Sequence, residues 1–556
     1  MLWRFYVNYP LRHPSSSVCN YLRHLTNQLK GDKIVRTFQV ALFDGVPIHG
    51  LEEGNMCNPE ERSRRINFLV RLFVACLLLC GLASAAPSIT LSKKTGPPTS
   101  RIEVSGRGFE PNVRVDIFFD TKDEALVVTN SKGEFNKAGA YAPRSAHPGE
   151  HWISALERSN DKGAQKPFLV RTDWAQFHFT PDHKGLNPYE NVLDPSVVGS
   201  LGLKWSSQLK ASSSPAVENG LVYFGCADNT VHALRASTGK EAWSYATLSS
   251  VDSSPAVADG VVYVGSDDNN VYALNARTGG KLWSFATQGA VQSAPAVANG
   301  VVYVSSNDFN VYALNARTGA RLWSYTTGSY IQSSPAVVDG VVYVGSNDKN
   351  IYALNASTGA LLWSYNTFGG VFSSPVVSNG VVYFGSFDNG VYALNASNGT
   401  ILWSFYTNGL VYSSPAVANG VVYVGSDDKN LYALDAVSGA KLWTYTTNSD
   451  VDSSPVVADG VVYVGSDDSN IYALDASTGG LLWSYTTGSV VRSSPAVVNG
   501  VVYVIPSVDN VYAFGLASAS PPQIGHSKPA EASIRTDPRT LRSDFNLKVS
   551  KPDATP

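Results

Sequence analysis

Residues 251–290 read VDSSPAVADG VVYVGSDDNN VYALNARTGG KLWSFATQGA, and this 40-residue sentence returns with few changes from residue 211 to residue 514. Its tryptophan keeps the beat. Trp243, Trp283, Trp323, Trp363, Trp403, Trp443 and Trp483 are spaced 40 residues apart, and Trp205 lies only 38 residues ahead of the first. A fixed period of this length marks a repeat architecture, in which each unit buries its apolar face against the next.

Each period carries four strand signals, at 253–258, 261–265, 271–275 and 281–287 in this copy, all short and rich in Val, Tyr, Leu or Trp. The first connection is Asn-Gly or Asp-Gly in all eight copies, as at Asn219-Gly220 and Asp259-Gly260, pairs that accept the two positive φ angles of a type I′ hairpin. Four antiparallel strands per repeat make one propeller blade. The eighth copy, from Val491, runs through its third strand at 511–514 and ends without a tryptophan, while GLKWSSQ at 202–208 is a fourth strand with no blade of its own. Pairing the two gives eight complete blades over 202–516 and leaves no open sheet edge. The expected fold is all-β: an eight-bladed β-propeller of four-stranded blades, its last blade closed by the N-terminal strand.

Ahead of the propeller, 86–171 holds strand signals at 88–91, 101–104, 113–119, 125–129, 134–138, 152–156 and 168–170 with no helical period, the pattern of a small antiparallel sandwich. Its GRGFEPNVRVDIFFD (106–120) and PGEHWISA (148–155) resemble the bacterial immunoglobulin-like modules of surface proteins, which implies a spacer or adhesive unit. Residues 172–201 read as an irregular lead-in, and the Pro, Ser and Thr-containing tail 517–556 reads as disordered.

Before the sandwich, the apolar run 72–86 is too short to span a bilayer comfortably. Preceded by Arg62, Arg64, Arg65 and Arg71 and ending in Ala83-Ser84-Ala85, it has the zones of a secretory signal peptide at 56–85. Export to the periplasm or cell surface follows. The chain's two methionines are Met1 and Met56, so translation is expected to start at Met56, leaving 1–55 outside the true protein or disordered. Cys76 and Cys80 lie in the apolar run, but Leu79 is too bulky for a lipobox. After cleavage only Cys226 remains of five cysteines, so no intramolecular disulfide can form.

Residues 211–515 carry 10 Lys and Arg against 21 Asp and Glu, a balance of −11. An acidic body repels phosphate backbones, so nucleic acid is not an expected partner. The apolar run makes no membrane span, and an integral membrane protein is not expected; a monomer is.

Ala273, Gly279 and Trp283 hold relative positions 1, 7 and 11 of ALNARTGGKLW, and seven copies keep all three. This resembles the tryptophan-docking motif of the pyrroloquinoline-quinone (PQQ)-like propellers, over 202–514. The physics is structural: an indole on the outermost strand stacks over a small Ala and against a bare Gly peptide. Burying each ring contributes roughly 2 to 3 kcal/mol. Trp205 and its seven successors are therefore read as joints between blades. The propeller also resembles the scaffold subunit of the outer-membrane protein assembly machinery, which implies a fold used without a cofactor.

The resemblance to quinoprotein alcohol dehydrogenases would imply PQQ over Ca2+ ligated by Glu, Asn and Asp, an Asp base, an Arg, and a disulfide between adjacent cysteines. The chain departs from that set. No Glu occurs between Glu241 and Glu531, no adjacent cysteines follow the leader, and the propeller's one histidine is His232, at a strand position held by tyrosines such as Tyr272. No catalytic, cofactor or metal residue is expected. The Asp column at Asp228, Asp268, Asp308, Asp348, Asp388, Asp428 and Asp468 is read as turn residues that accept their own backbone N–H groups, rather than as calcium ligands.

Specificity is sought where copies within this chain differ. The tight turns of one propeller face scarcely change. The other face varies in its linker residue, which includes Tyr330, and in the second residue of each copy: Ser212, Asp252, Gln292, Gln332, Phe372, Tyr412, Asp452 and Arg492. One side of this rim is charged and the other polar or aromatic, which suits a peptide, glycan or partner loop. Two bland accounts stand beside it: drift of loop residues, and a structural Arg492–Asp452 pair. The reading is an exported, non-enzymatic platform for a protein ligand at the cell envelope, the alternatives being a PQQ-dependent dehydrogenase with a non-standard site and an adhesin or glycan binder.

Overall fold

The computed structural model describes residues 86–517 apart from Asp161 and Val508. The segment 1–55, the expected leader with its Met56 start and Cys76 and Cys80, and the tail from 518 onward lie outside the described residues.

Two sheets pack face to face over 88–170. One joins Ser88–Leu91, Arg101–Arg107 and Phe135–Tyr141; the other joins Thr95–Gly96, Gly163–Val170, Gly149–Glu157, Arg114–Phe119 and Lys122–Val128. Alternate residues turn inward, so Ile102, Val104, Val115, Ile117, Ile153 and Phe168 form the core between them. Most strands run longer than their sequence signals, as Arg101–Arg107 does beyond 101–104, because pairing continues past the last apolar residue. The two-residue strand Thr95–Gly96 has no alternation to betray it.

From Leu201 on, each repeat folds as one four-stranded antiparallel sheet. In blade 2 the strands are Ala256–Ala258, Val261–Gly265, Asn270–Asn275 and Lys281–Ala286. Asp259 and Gly260 turn the first hairpin with φ of 50° and 76°, as a type I′ turn requires. The first strand is shorter than the 253–258 read from sequence. Pro255 has no N–H to give a ladder, and Ser253 is spent elsewhere: its hydroxyl takes the N–H of Gly265 and donates to the carbonyl of Ser293 in the next blade. Such seryl bonds recur around the ring, as from Ser373 to Ser413 and from Ser413 to Ser453.

Blade 8 consists of Ala496–Val498, Val501–Val504, Asp509–Leu516 and, as its outer strand, Leu201–Ala211, with Trp205 opposite Ala513 and Ser206 opposite Tyr512. The first strands of successive blades are neighbours, and that of blade 1, Ala216–Glu218, adjoins that of blade 8. The ring is closed, with first strands innermost. Its core is distributed between blades: Val231 and Ala233 of blade 1 meet Val262 and Leu274 of blade 2, and equivalent clusters recur around the circle. At the outer wall the Trp243 indole donates to the Ala276 carbonyl of the next blade at 2.9 Å, and Trp205 does the same to Ala236 at 2.8 Å. Trp283, Trp323, Trp363, Trp403 and Trp443 repeat the bond; Trp483 turns to Leu201 of the closing strand at 3.1 Å.

The lead-in is irregular but tightly held. Trp174 exchanges two backbone bonds with Val217, and Val257 donates to Ala175. The Gln176 side chain accepts from the N–H of Val297 and donates to its carbonyl. Val337, Val377, Val417 and Val457 then donate in turn to Pro181, Asp182, Lys184 and Gly185, and the Asn187 amide reaches the carbonyl of Val497. These are the middle residues of the eight innermost strands, visited in order. One segment thus satisfies the free inner edges of all eight blades and plugs the axis of the ring. Among the described residues no helix is long and apolar enough to cross a membrane.

Candidate functional site

The segment leading into each first strand and the connection between second and third strands open on one face. The rim seen in sequence is the inner of two concentric rows there. The outer row is the seventeenth residue of each copy: Ala227, Asp267, Asn307, Asn347, Phe387, Asp427, Asp467 and Ser507. The sequence reading missed it, although a signal exists, since in blades 2 to 7 it varies between the constant Ser266 and Asp268 columns.

The rows interlock. On blades 2 to 4 the Gln292 amide donates to Asp267 at 3.4 Å, and its carbonyl oxygen accepts from Asn307 at 3.1 Å and Gln332 at 2.5 Å. Asp252 is exposed and accepts from Ser250. On blades 4 to 6 the aromatics gather: Tyr330 meets Phe372 edge-on with centroids 5.7 Å apart, Phe372 stacks on Phe387 at 4.1 Å, and Tyr412 leans on Phe387 at 4.2 Å. On blades 7 and 8 Arg492 grips Asp467 (Nη2–Oδ2 2.6 Å) and lies 3.4 Å from Asp452. The pair foreseen in sequence is thus the longer contact, and the principal partner of Arg492 is the unforeseen Asp467.

Between the aromatics and Arg492, Asp427 and Asp452 share a hydrogen bond. Burial, then the bond to Asp452 and its charge, push the Asp427 carboxyl up to about 7, so one proton is held between the two near neutrality. Burial and these two carboxylates also raise the Tyr412 phenol. Two buried acceptors of the rim, Oδ1 of Asp267 and of Asn307, have no donor, while Asp427 and Asp452 have between them only the one proton they share. Unsatisfied acceptors beside an aromatic platform can take a cationic side chain or a set of hydroxyls.

From blade 2 to blade 7 the Asp column has no such freedom. Burial opposes ionisation of Asp268, but donors from Leu248, Tyr272 and Asn270 outweigh it and hold the carboxyl below its usual range. Its oxygens tie a blade to the loop leaving the preceding one. For Asp268 to Asp468 the turn account therefore needs one addition, the bond across blades, whereas Asp228 bonds Thr230 within its own turn.

This fold and its docking motif define a PQQ-like repeat β-propeller. A family model described as outer membrane protein assembly factor BamB matches residues 199–329, 310–414 and 407–520, more than half the chain, and the chain belongs to that family. A comparison with curated proteins finds no match. Among solved structures it is similar to BamB from Moraxella catarrhalis, at 19% identity over 57% of this chain and 99% of that one, with a TM-score of 0.51. It is also similar to a europium-containing methanol dehydrogenase (15% identity, 62% of this chain, 98% of that one, TM-score 0.55). A quinohemoprotein alcohol dehydrogenase from Comamonas testosteroni is alike too (18% identity, 62% and 80% coverage, TM-score 0.54). At these identities the likeness shows the fold, which assembly factors and dehydrogenases share.

The residues do not fit the quinone-and-calcium set that the dehydrogenase resemblance implies. Cys226 is the one free cysteine among the described residues and is buried, so no cysteine pair can cap a ring. Glu241 is engaged by His232, and Asp467 by Arg492. Among the described residues, three His, Cys, Asp or Glu ligand atoms come together only at Cys226, Asp228 and His232 on blade 1.

Proposed function

We propose that the chain is an exported, non-enzymatic propeller that binds a protein partner at the cell envelope through the funnel rim. One observation carries this reading: the Tyr330, Phe372, Phe387 and Tyr412 cluster adjoins the Asp427 and Asp452 pair, two partly buried carboxyls that share one proton. A partner loop presenting Lys or Arg beside an apolar residue would supply both the donors and the face for the rings. Membership of the assembly-factor family supports a scaffold, and the plugged axis supports recognition at the surface rather than chemistry in the channel.

Cross-linked capture from envelope fractions, with the wild type and a Phe372→Ala/Tyr412→Ala variant in parallel, tests the reading. A discrete partner lost in the variant is expected. Loss of glycan-array binding in the same variant would move the assignment to a glycan binder. Stoichiometric PQQ binding with Ca2+ and dye reduction by alcohols or sugars would sink it in favour of a dehydrogenase.

A further inference from the structure

Blade 1 departs from the repeat in one patch. Where blades 2 to 7 carry a serine after the second strand (Ser266 in blade 2), blade 1 has Cys226; where they carry a tyrosine on the third strand (Tyr272), it has His232. On the fourth strand Glu241 replaces Lys281, Arg321 or an aliphatic residue. The turn aspartate is kept as Asp228. Each change replaces a weak metal-binding group with a strong one or adds a carboxylate, and all fall together in space.

The ligand atoms of Cys226, Asp228 and His232 lie within 4.8 Å of one another. They come from the two arms and the tip of one hairpin, Leu221–Gly225 and Thr230–Arg235, whose backbone pairing fixes their spacing. His232 Nδ1 is 2.8 Å from a Glu241 carboxylate oxygen. That bond places the ring proton on Nδ1 and leaves the Nε2 lone pair on the side of the other two groups, the orienting device of metal-binding histidines. Phe224 stacks on the ring at 5.8 Å and restricts its rotation. The Thr230 hydroxyl stands among the three, bonded to Asp228 and 2.7 Å from His232 Nε2, and one χ1 rotation moves it aside. Cys226 and His232 are buried, while the exposed Asp228 gives access from solvent.

We propose that Cys226, Asp228 and His232 bind a borderline-soft divalent cation of the zinc type, with Glu241 as its outer carboxylate and a fourth position left to water or an added ligand. Sulfur, imidazole and carboxylate together are the donor set such an ion prefers over calcium or magnesium. The site also bears on ring closure. Ala211, the last residue of the closing strand, bridges to Cys226, and the N–H of Ala227 donates to Lys210.

The test is titration of the full chain with Zn2+ and, separately, with Co2+ followed by absorbance, for the wild type, Cys226→Ser, His232→Tyr and Glu241→Gln. The first two variants install the residues used by blades 2 to 7, so the fold is retained, and melting temperature checks it. The wild type is expected to bind one equivalent with a thiolate-to-cobalt band and to melt higher with Zn2+. Cys226→Ser should lose the band, His232→Tyr should lose binding, and Glu241→Gln should bind about tenfold more weakly. A wild type that shows no thiolate band at saturating Co2+, or variants that bind as the wild type does, would overturn the proposal.

Discussion

The Trp243 indole lies where a β-carbon on Gly279 of the following blade would stand, 2.6 Å from the ring atom Cε3. The same glycine turns with φ of 72°, so its bareness serves both the turn and the joint. Gly279→Ala should therefore be worse than Gly260→Ala. Gly260 has φ of 76° and open space around it, so only backbone strain applies there. The difference between the two, read by chemical denaturation, is expected to be about 1 to 3 kcal/mol. Equal effects would mean that the joint is soft.

The axial plug makes its own prediction. Gln176→Ala leaves the N–H and carbonyl of Val297 unpaired in a buried place, a loss of roughly 2 kcal/mol or more. Exposed Gln288 changed to Ala should shift stability by less than about 0.5 kcal/mol. Denaturation midpoints compare them.

Two buried histidines in the plug set an acid limit. Burial lowers His178 to about 3 and His183 to about 4 from an ordinary 6.5. Folding thus favours their neutral forms, and the stability they carry is full above 6.5 and is lost as pH falls through 6.5 toward 4. Urea midpoints should drop between about pH 7 and about pH 5, and the drop should shrink in His178→Gln.

Asp427 acts with the opposite sign. Its folded-state pKa lies near 7, above the ordinary 3.8, so the folded chain holds a proton that the unfolded chain releases. The stability from that proton is present below 3.8 and is lost as pH rises toward 7. Asp427→Asn should then be more stable than the wild type at about pH 8, with the advantage fading at about pH 4. A constant difference across that span would contradict the shared proton.

Much of this fold was legible because the chain repeats itself. Eight copies of one sentence expose the strands, the Asn-Gly and Asp-Gly turns, and the strand around Trp205 that closes blade 8. What stayed hidden lacked a period. The plug residues Trp174 to Asn187 occur once and bind mostly through backbone atoms, which leave no trace in side-chain patterns. The serine pairs read as the start of the first strand and are bonds between blades. At the rim, the Asp452 and Arg492 column was visible, but the Asp427 and Asp467 column beside it needed the geometry of the connection to bring it forward.

The most direct test of rim recognition places a photo-crosslinking residue at position 412, among the aromatics, and separately at Arg277, exposed in a turn of the opposite face. In envelope fractions the rim probe should yield one discrete protein adduct, weakened at least tenfold by Asp452→Asn or Phe372→Ala, while the probe at 277 yields none. Equal adducts from both positions, or none from 412, would contradict the account.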